Sequence, residues 1–276
     1  MKKRLDIILV ERGIFDSREK AKAGIMAGLI YVNGVMVDKA GADVKDDAEI
    51  EFRGDPCPYV GRGGLKLEKA GDVFSLNLSG AVAMDIGAST GGFTDYMLQN
   101  GARKVYSVDV GYGQLDWKLR NDERVVNMEK TNIRYLDAGS VVEELDFISI
   151  DVSFISLSLV FPVASKLLKS GGLLVSLVKP QFEAGKEQVE KGGLIRKKEV
   201  HREVLLKVAQ TGVDNGLLPL DFDFSPITGA KGNIEFLMLF KKTGIEEIYL
   251  LSGDEWKKHF IETVDDLVDR AHELSQ

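Results

Sequence analysis

The chain has 276 residues, 44% of them hydrophobic, and 36 lysines and arginines against 43 aspartates and glutamates give a net charge of −7. That is long enough for one large α/β domain with a small companion, and the balance excludes a surface that is basic throughout. The single cysteine, Cys57, excludes an internal disulfide, Ile7-Ile-Leu-Val10 is too short for a signal sequence, and no apolar stretch approaches the roughly 20 residues of a membrane span, so a soluble, cytoplasmic protein with no membrane role is expected.

Charge is uneven along the chain. Residues 1–22 hold seven bases and four acids, whereas residues 243–276 hold nine acids and three bases. At the start, Arg4 to Arg12 suits a helix stopped by Gly13. Asp16-Ser17 can cap a second helix from Arg18 to Ala27, stopped by Gly28. Leu29–Val32 and Val35–Val37 flank Asn33-Gly34, a strong hairpin signal, and Ala48–Phe52 alternates like an exposed strand. Arg12, Arg18 and Lys22 can share a basic helix face, with Lys3 and Arg4 nearby. An isolated cluster of this kind is more often just a solvated face. The order helix, helix, hairpin, strand changes the balance. Ser17-Arg-Glu-Lys-Ala-Lys22 and Gly28-Leu-Ile-Tyr-Val-Asn-Gly34 resemble the ribosomal-protein-S4-like RNA-binding domain. That resemblance implies contact with structured RNA through shape and phosphate.

Gly54-Asp-Pro-Cys-Pro58 reads as a linker, followed by Tyr59-Val-Gly-Arg-Gly-Gly-Leu-Lys66 and a helix to Phe74. Four apolar strands come next, each closing on a charge: Ala81–Asp85, Val105–Asp109, Phe147–Asp151 and Leu173–Lys179. Val125–Met128 is a further strand, Leu157–Leu168 and Lys197–Asn215 are helices, and Asn233–Phe240 is the final strand. Residues 253–274 form an amphipathic helix with Trp256, Phe260, Val264, Leu267, Ala271 and Leu274 on one side, expected to pack on the body. Apolar runs alternating with helices predict a parallel sheet, whose ligands bind outside the carboxyl ends of the strands.

The turn Asp85-Ile-Gly-Ala-Ser-Thr-Gly-Gly-Phe93 joins the first of these strands to a helix. Gly87, Gly91 and Gly92 let the backbone approach a ligand, while Ser89 stands where a dinucleotide fingerprint needs glycine for its pyrophosphate. A nucleoside ligand without phosphates fits better, and S-adenosylmethionine is one. Asp109 is at the position from which an acid hydrogen-bonds ribose hydroxyls. Cofactor-binding candidates are therefore Asp85, Gly87, Ala88, Ser89, Gly91, Gly92, Phe93 and Asp109. The bland alternative is a tight turn with a helix-capping Ser89 or Thr90. At the same edge, burial disfavours an ammonium, which would let Lys179 act as a general base held by Asp151. Glu235, flanked by Ile234 and Phe236, needs a cationic partner, and Lys66 is the candidate.

Gly61-Arg-Gly-Gly-Leu-Lys66, the Asp85–Phe93 turn, Asp151-Val-Ser-Phe-Ile-Ser156, Val178-Lys-Pro-Gln-Phe182 and Gly232-Asn-Ile-Glu235 together resemble the TlyA/hemolysin-A-like family. These are FtsJ-like 2′-O-methyltransferases with an amino-terminal S4-like domain. The resemblance implies a Rossmann-like α/β methyltransferase fold with a small α+β S4-like domain. It also implies S-adenosylmethionine as donor and S-adenosylhomocysteine as product, with the 2′-OH of a cytidine in ribosomal RNA or ribosomal subunits as acceptor. The implied catalytic set is Lys66, Asp151, Lys179 and Glu235, and no metal is called for. The expected division is an S4-like domain at 1–55, a linker at 56–62, a methyltransferase domain at 63–242 and an acidic extension at 243–276. RNA phosphates are expected to meet Lys3, Arg4, Arg12, Arg18, Lys22, Arg62, Arg196 and Lys197. The last two belong to a basic segment, Lys186–Lys207, that also carries Lys191, Lys198, His201 and Arg202, and Gly192-Gly193 suggests that it is mobile. Tyr59 and Phe182 are candidates to stack on a base. The rival readings are an RNA-binding protein with the pocket but no turnover, a hemolysin-like membrane-active protein, and an NAD enzyme, against which Ser89 weighs.

Overall fold

The computed structural model describes residues 2–26, 28–53, 57–229, 231–244 and 255–274. Ala27, linker residues 54–56, the start of the last helix at 253–254 and the Trp256 side chain lie outside the described residues.

A short strand precedes the expected first helix. β1 (Lys2–Arg4) pairs antiparallel with β4 (Asp43–Lys45), a strand the sequence pattern does not announce, and α1 spans Leu5–Glu11. The reason lies at the helix end, where the first amides have no intrahelical acceptor. Leu5 N donates to Ala42 O at 2.8 Å and Asp6 N to Ala40 O at 3.3 Å, so the loop before β4 satisfies them. α2 (Arg18–Met26) starts as expected, with Ser17 Oγ accepting from Lys20 N. β2 (Ile30–Val32) and β3 (Val35–Met36) form the hairpin, and Asn33 and Gly34 turn with φ of 52° and 78°. β5 (Ile50–Phe52) pairs with the other side of β2. Leu5, Ile8, Leu9, Ala21, Ile25 and Ile30 make this unit's own core.

The larger unit is built on a seven-stranded sheet of β6 (Val82–Ile86), β7 (Lys104–Val108), β8 (Val125–Met128), β9 (Leu145–Ile150), β10 (Leu168–Val178), β11 (Leu217–Phe224) and β12 (Phe236–Lys242). Their order across the sheet is β8-β7-β6-β9-β10-β12-β11. Strands β6 to β10 run parallel, while β12 is antiparallel to β10 and β11 to β12. From β6 the chain steps one way to β7 and β8, then returns to β9 and β10 on the other side. The switch point between β6 and β9 is where such sheets open a crevice. β11 was not expected. Asp221-Phe-Asp-Phe224 alternates, but Pro219 argues against a strand, and the structure accommodates it next to a register irregularity on the sheet's edge.

The helices α3 (Gly63–Val73), α4 (Gly92–Gln99) and α5 (Trp117–Arg120) cover one face, and α6 (Phe161–Leu167) and α8 (Lys198–Asp214) the other; a short α7 (Pro180–Glu183) follows β10. Strand residues divide accordingly. Val82, Met84 and Ile86 join the core under α6 and α8, whereas Ala83 joins Leu67, Ala70, Phe93 and Met97. The helix expected over Leu157–Leu168 is broken. Ser156 caps a single 3₁₀ turn, Leu157–Leu159, and Pro162 then starts α6. The last helix, α9 (Glu255–Leu274), packs Phe260, Val264, Leu267, Val268 and Ala271 into the core beside α8 and β11. Leu274, expected in that stripe, is exposed. No helix of the described residues is long and apolar enough to cross a membrane.

Candidate active site

At the switch point the turn after β6 bends back under the end of β9. Gly87 has φ of 90°, and a Cβ there would stand 2.3 Å from Asp151 O, so only glycine lets the two strand ends close together. Gly92 starts α4 against Gly61 and Gly64, where a Cβ would meet Gly64 N at 2.7 Å. Ser89 takes a left-handed conformation and its N–H donates to Asp109 Oδ2 at 2.8 Å, while Gly111 N donates to Asp109 Oδ1 at 2.7 Å. The carboxylate keeps further lone pairs for hydroxyl donors. Around it lies a hollow of about 360 Å³ lined by Asp109, Val110, Thr131, Asn132 and Ile133. The last three were missed in the sequence, although they follow β8 at the same edge and the strand-end rule reaches them.

Asp85 differs from the other strand-end charges. It sits inside β6, 1% exposed, and does not close the strand. Thr94 N and Oγ1 donate to its Oδ2 at 2.9 and 2.7 Å, which ties β6 to the first turn of α4. Burial pushes its carboxyl up to about 7.

The second cavity, about 460 Å³, shares Gly87, Ser89, Asp151, Ser153 and Phe154 with the first. The fold brings Lys66, Asp151, Lys179 and Glu235 together on its wall. Lys66, from the first turn of α3, donates to Glu235 Oε2 at 2.6 Å and lies 4.0 Å from Asp151 Oδ2. Burial works against the Lys66 ammonium, but Asp151 and Glu235 more than offset it and hold it above its ordinary value. Glu235 does not lie within a strand; it immediately precedes β12. Lys179 follows β10, its Nζ 2.6 Å from Asp151 Oδ1 and donating to Ser153 Oγ at 2.9 Å. The contact with Asp151 is an ion pair without hydrogen-bond alignment, which leaves Oδ1 with no hydrogen bond. The four side chains are between 3% and 20% exposed, a chain of two cations and two carboxylates at the cavity wall.

The loop after β10, where Gly192-Gly193 suggests mobility, is drawn together by backbone and side-chain bonds. Glu190 and Leu194 form a bridge across the two left-handed glycines, and Asn233 clasps the loop, accepting from Ile195 N at 2.9 Å and donating to Gly193 O at 2.8 Å. Phe154, missed in the sequence, projects at the mouth, 87% exposed with φ of 67°, its ring 5.0 Å from Phe182. Tyr59 packs instead against Gly64 and Tyr96 and donates to Glu68.

The basic residues are dispersed. Arg4 and Arg18 converge on buried Asp6, whose carboxyl the Arg4 hydrogen bond holds at about 2. Arg12 turns away to the carbonyls of Asp46 and Ala48, and Lys3 pairs with Glu11. Lys22 is exposed. Arg62 lines the larger cavity and its Nη1 touches Met36 Sδ of the first unit. Arg196 pairs with Glu190, and Lys197 is exposed ahead of α8. Lys198 and Arg202 do not face solvent as a free grip: Asp265 and Asp269 of α9 pair with them, and His201 is buried against His272. On the opposite rim, Lys130 lies 4.0 Å over the Tyr112 ring and Arg134 5.2 Å over Tyr135, both rings more than 70% exposed.

Residues 59–242 match the FtsJ-like methyltransferase family and residues 3–50 match the S4 domain. The YqxC protein of Bacillus subtilis is 51% identical over 238 residues, covering 86% of this chain and 85% of that protein. The 16S/23S rRNA (cytidine-2′-O)-methyltransferase TlyA of Mycobacterium tuberculosis is 39% identical over 236 residues, 85% of this chain and 88% of that one. A solved structure from Streptococcus thermophilus superposes with a TM-score of 0.76 at 46% identity, over 99% of this chain and 96% of its own.

Proposed function

The chain belongs to the FtsJ-like methyltransferase family, in the TlyA/hemolysin A group with an S4 domain, and from that premise we propose that it methylates the ribose 2′-OH of a cytidine in ribosomal RNA, with S-adenosylmethionine as donor. The observation that carries the reading is the pair of ion pairs, Lys66–Glu235 and Lys179–Asp151, on the wall of a cavity that opens into a nucleoside-sized hollow. The donor fits that hollow. Asp109 would hold its ribose hydroxyls and Asn132 and Ile133 would border its base, beside the close approach of Gly87 to Asp151. When bound, it supplies a methyl already activated by a sulfonium, so the protein's task is chiefly alignment and removal of one proton.

A ribose hydroxyl attacks only when its proton has an acceptor. Lys179, in its neutral form, is the group placed to take that proton, and Asp151, 2.6 Å away, holds its amine in position. Transfer would form the bond from the ribose oxygen to the methyl carbon and break the donor's carbon–sulfur bond, with S-adenosylhomocysteine as the product. Lys66, bridged between Glu235 and Asp151, keeps the Asp151 carboxylate in line. Phe154 and Phe182, their rings inclined at 49°, give an apolar surface at the mouth for the base of the extruded nucleotide. Arg62, Lys130, Arg134 and the exposed lysines of the S4 domain supply charge for phosphates on both sides of the mouth.

The test is transfer of a radiolabelled methyl from S-adenosylmethionine to separated ribosomal subunits, with Lys179→Ala as control. Label at one alkali-resistant nucleotide in the wild type, reduced about a hundredfold or more in the variant, is expected. Near-wild-type transfer by Lys179→Ala removes the base assignment. No label on either subunit with donor binding intact means another RNA or a binder without turnover.

A further inference from the structure

Glu183 closes α7, four residues after Lys179, and is 5% exposed. Its carboxylate forms no salt bridge among the described residues, although the Lys207 ammonium lies near enough to favour its charged form. Oε1 accepts from Leu157 N at 2.7 Å and Oε2 from Ser156 Oγ at 2.7 Å. The glutamate's own backbone is fixed from behind, where Lys207 Nζ of α8 donates to Glu183 O at 2.7 Å. Asp151, Ser153 and Phe154 lie in the loop that ends at Ser156, while Lys179, Gln181 and Phe182 lie in the segment that ends at Glu183.

The sheet registers β9 against β10 only as far as Ile150 and Ser176. Beyond that point no ladder joins the two segments, which meet through Lys179 at Asp151 and Ser153 and through Glu183. Phe154 is moreover left-handed, with φ of 67°, a conformation a bulky side chain keeps only where its surroundings over-determine it. The bonds to Ser156 and Leu157 clamp the chain just after it.

Resting on the proposed methyl transfer, we propose that Glu183 is a positioning residue: its two hydrogen bonds brace the Asp151–Ser156 loop against Lys179 and α7. The brace sets Phe154 and Ser153 relative to Lys179. A glutamine in its place keeps both links, because its carbonyl accepts from Leu157 N and its amide donates to Ser156 Oγ. An alanine keeps neither.

The test compares Glu183→Ala and Glu183→Gln in the full-length protein. It measures methyl transfer to ribosomal subunits, S-adenosylmethionine affinity, and amide exchange over residues 152–159. In Glu183→Ala, kcat is expected to fall about tenfold to a hundredfold with donor affinity within about twofold, and exchange at Leu157 rises. Glu183→Gln returns kcat to within about threefold of wild type and restores protection. Should Glu183→Ala not fold, Ser156→Ala removes one arm, together with the cap on the 3₁₀ turn, and carries the same expectation in smaller degree. Unchanged kcat in Glu183→Ala, equal impairment of Glu183→Gln, or donor affinity falling with kcat overturns the proposal. Failure of the wild type to label any subunit counts against the proposed function, and the exchange measurement, which needs no RNA, still decides the brace.

Discussion

Asp85 and Glu235 are both buried carboxylates, yet they answer to different forces. Asp85 is hydrogen-bonded by neutral groups, and burial raises it from 3.8 to about 7. The folded state therefore holds its proton where the unfolded chain has lost it. Stability from this group is fullest below about 3.8 and falls as pH rises to about 7. Measured against Asp85→Asn at each pH, the wild type is expected to lose stability between about pH 5 and about pH 8. Asp85→Ala instead leaves the Thr94 donors without their acceptor and costs about 1–3 kcal/mol by denaturant titration. Glu235, 3% exposed, is paired with Lys66 at 2.6 Å. Removing one partner of such a pair strands the other, so Glu235→Ala is expected to cost about 3–5 kcal/mol, well above the loss for Glu235→Gln.

The acidic extension is an integral element of the larger core. α9 lays Phe260, Val264, Leu267, Val268 and Ala271 beside α8, and its Asp265 and Asp269 neutralise Arg202 and Lys198. Leu267→Ala, at a site 2% exposed, is expected to cost about 2–5 kcal/mol in thermal or chemical unfolding. The His201–His272 contact makes docking sensitive to acid. Burial lowers His201 from 6.5 to about 4, helped by His272, while Lys198, Arg202, Glu199 and Asp269 surround the pair. A depressed histidine lets the unfolded state bind protons first, so this stability is present above about 6.5 and is lost as pH falls to about 4. Amide exchange over residues 255–274 is expected to accelerate in that window before exchange in β6 and β9 does. Unchanged protection of α9 down to about pH 4 would exclude the histidine pair as the weak point.

At the scale of the whole molecule, a chain of net charge −7 is proposed to grip a polyanion, so its cations must act locally. Several of those expected to do so are engaged inside the protein: Arg12 by carbonyls, Lys198 and Arg202 by α9. Lys22 and Lys130 are better placed. Affinity for ribosomal RNA is expected to fall steeply with salt, and Lys22→Ala or Lys130→Ala to reduce the slope of log affinity against log salt by about 1 each. A slope unchanged in Lys130→Ala would remove the rim beyond β8 from the RNA surface.

The strands and their order of appearance were legible because parallel strands buried on both faces must be continuously apolar, and their ends must meet water. So was the turn from Gly87 to Gly92, where backbone approach admits no side chain. The Asn33-Gly34 hairpin was legible for a similar local reason. β1, β4 and β11 were not, since each is short or interrupted and exists only through a partner distant in sequence. The local pattern likewise could not tell that Asp85 stays inside β6 while Asp109, Asp151 and Lys179 step beyond their strands. Residue types and spacing by themselves determined which groups could do chemistry at this edge. Which of them meet was decided by tertiary structure alone, because Lys66 and Glu235 are separated by 169 positions and their contact depends on the stacking of α3 against the sheet. The same holds for the arginines and lysines, whose long side chains take whichever carboxylate or carbonyl the fold brings within reach.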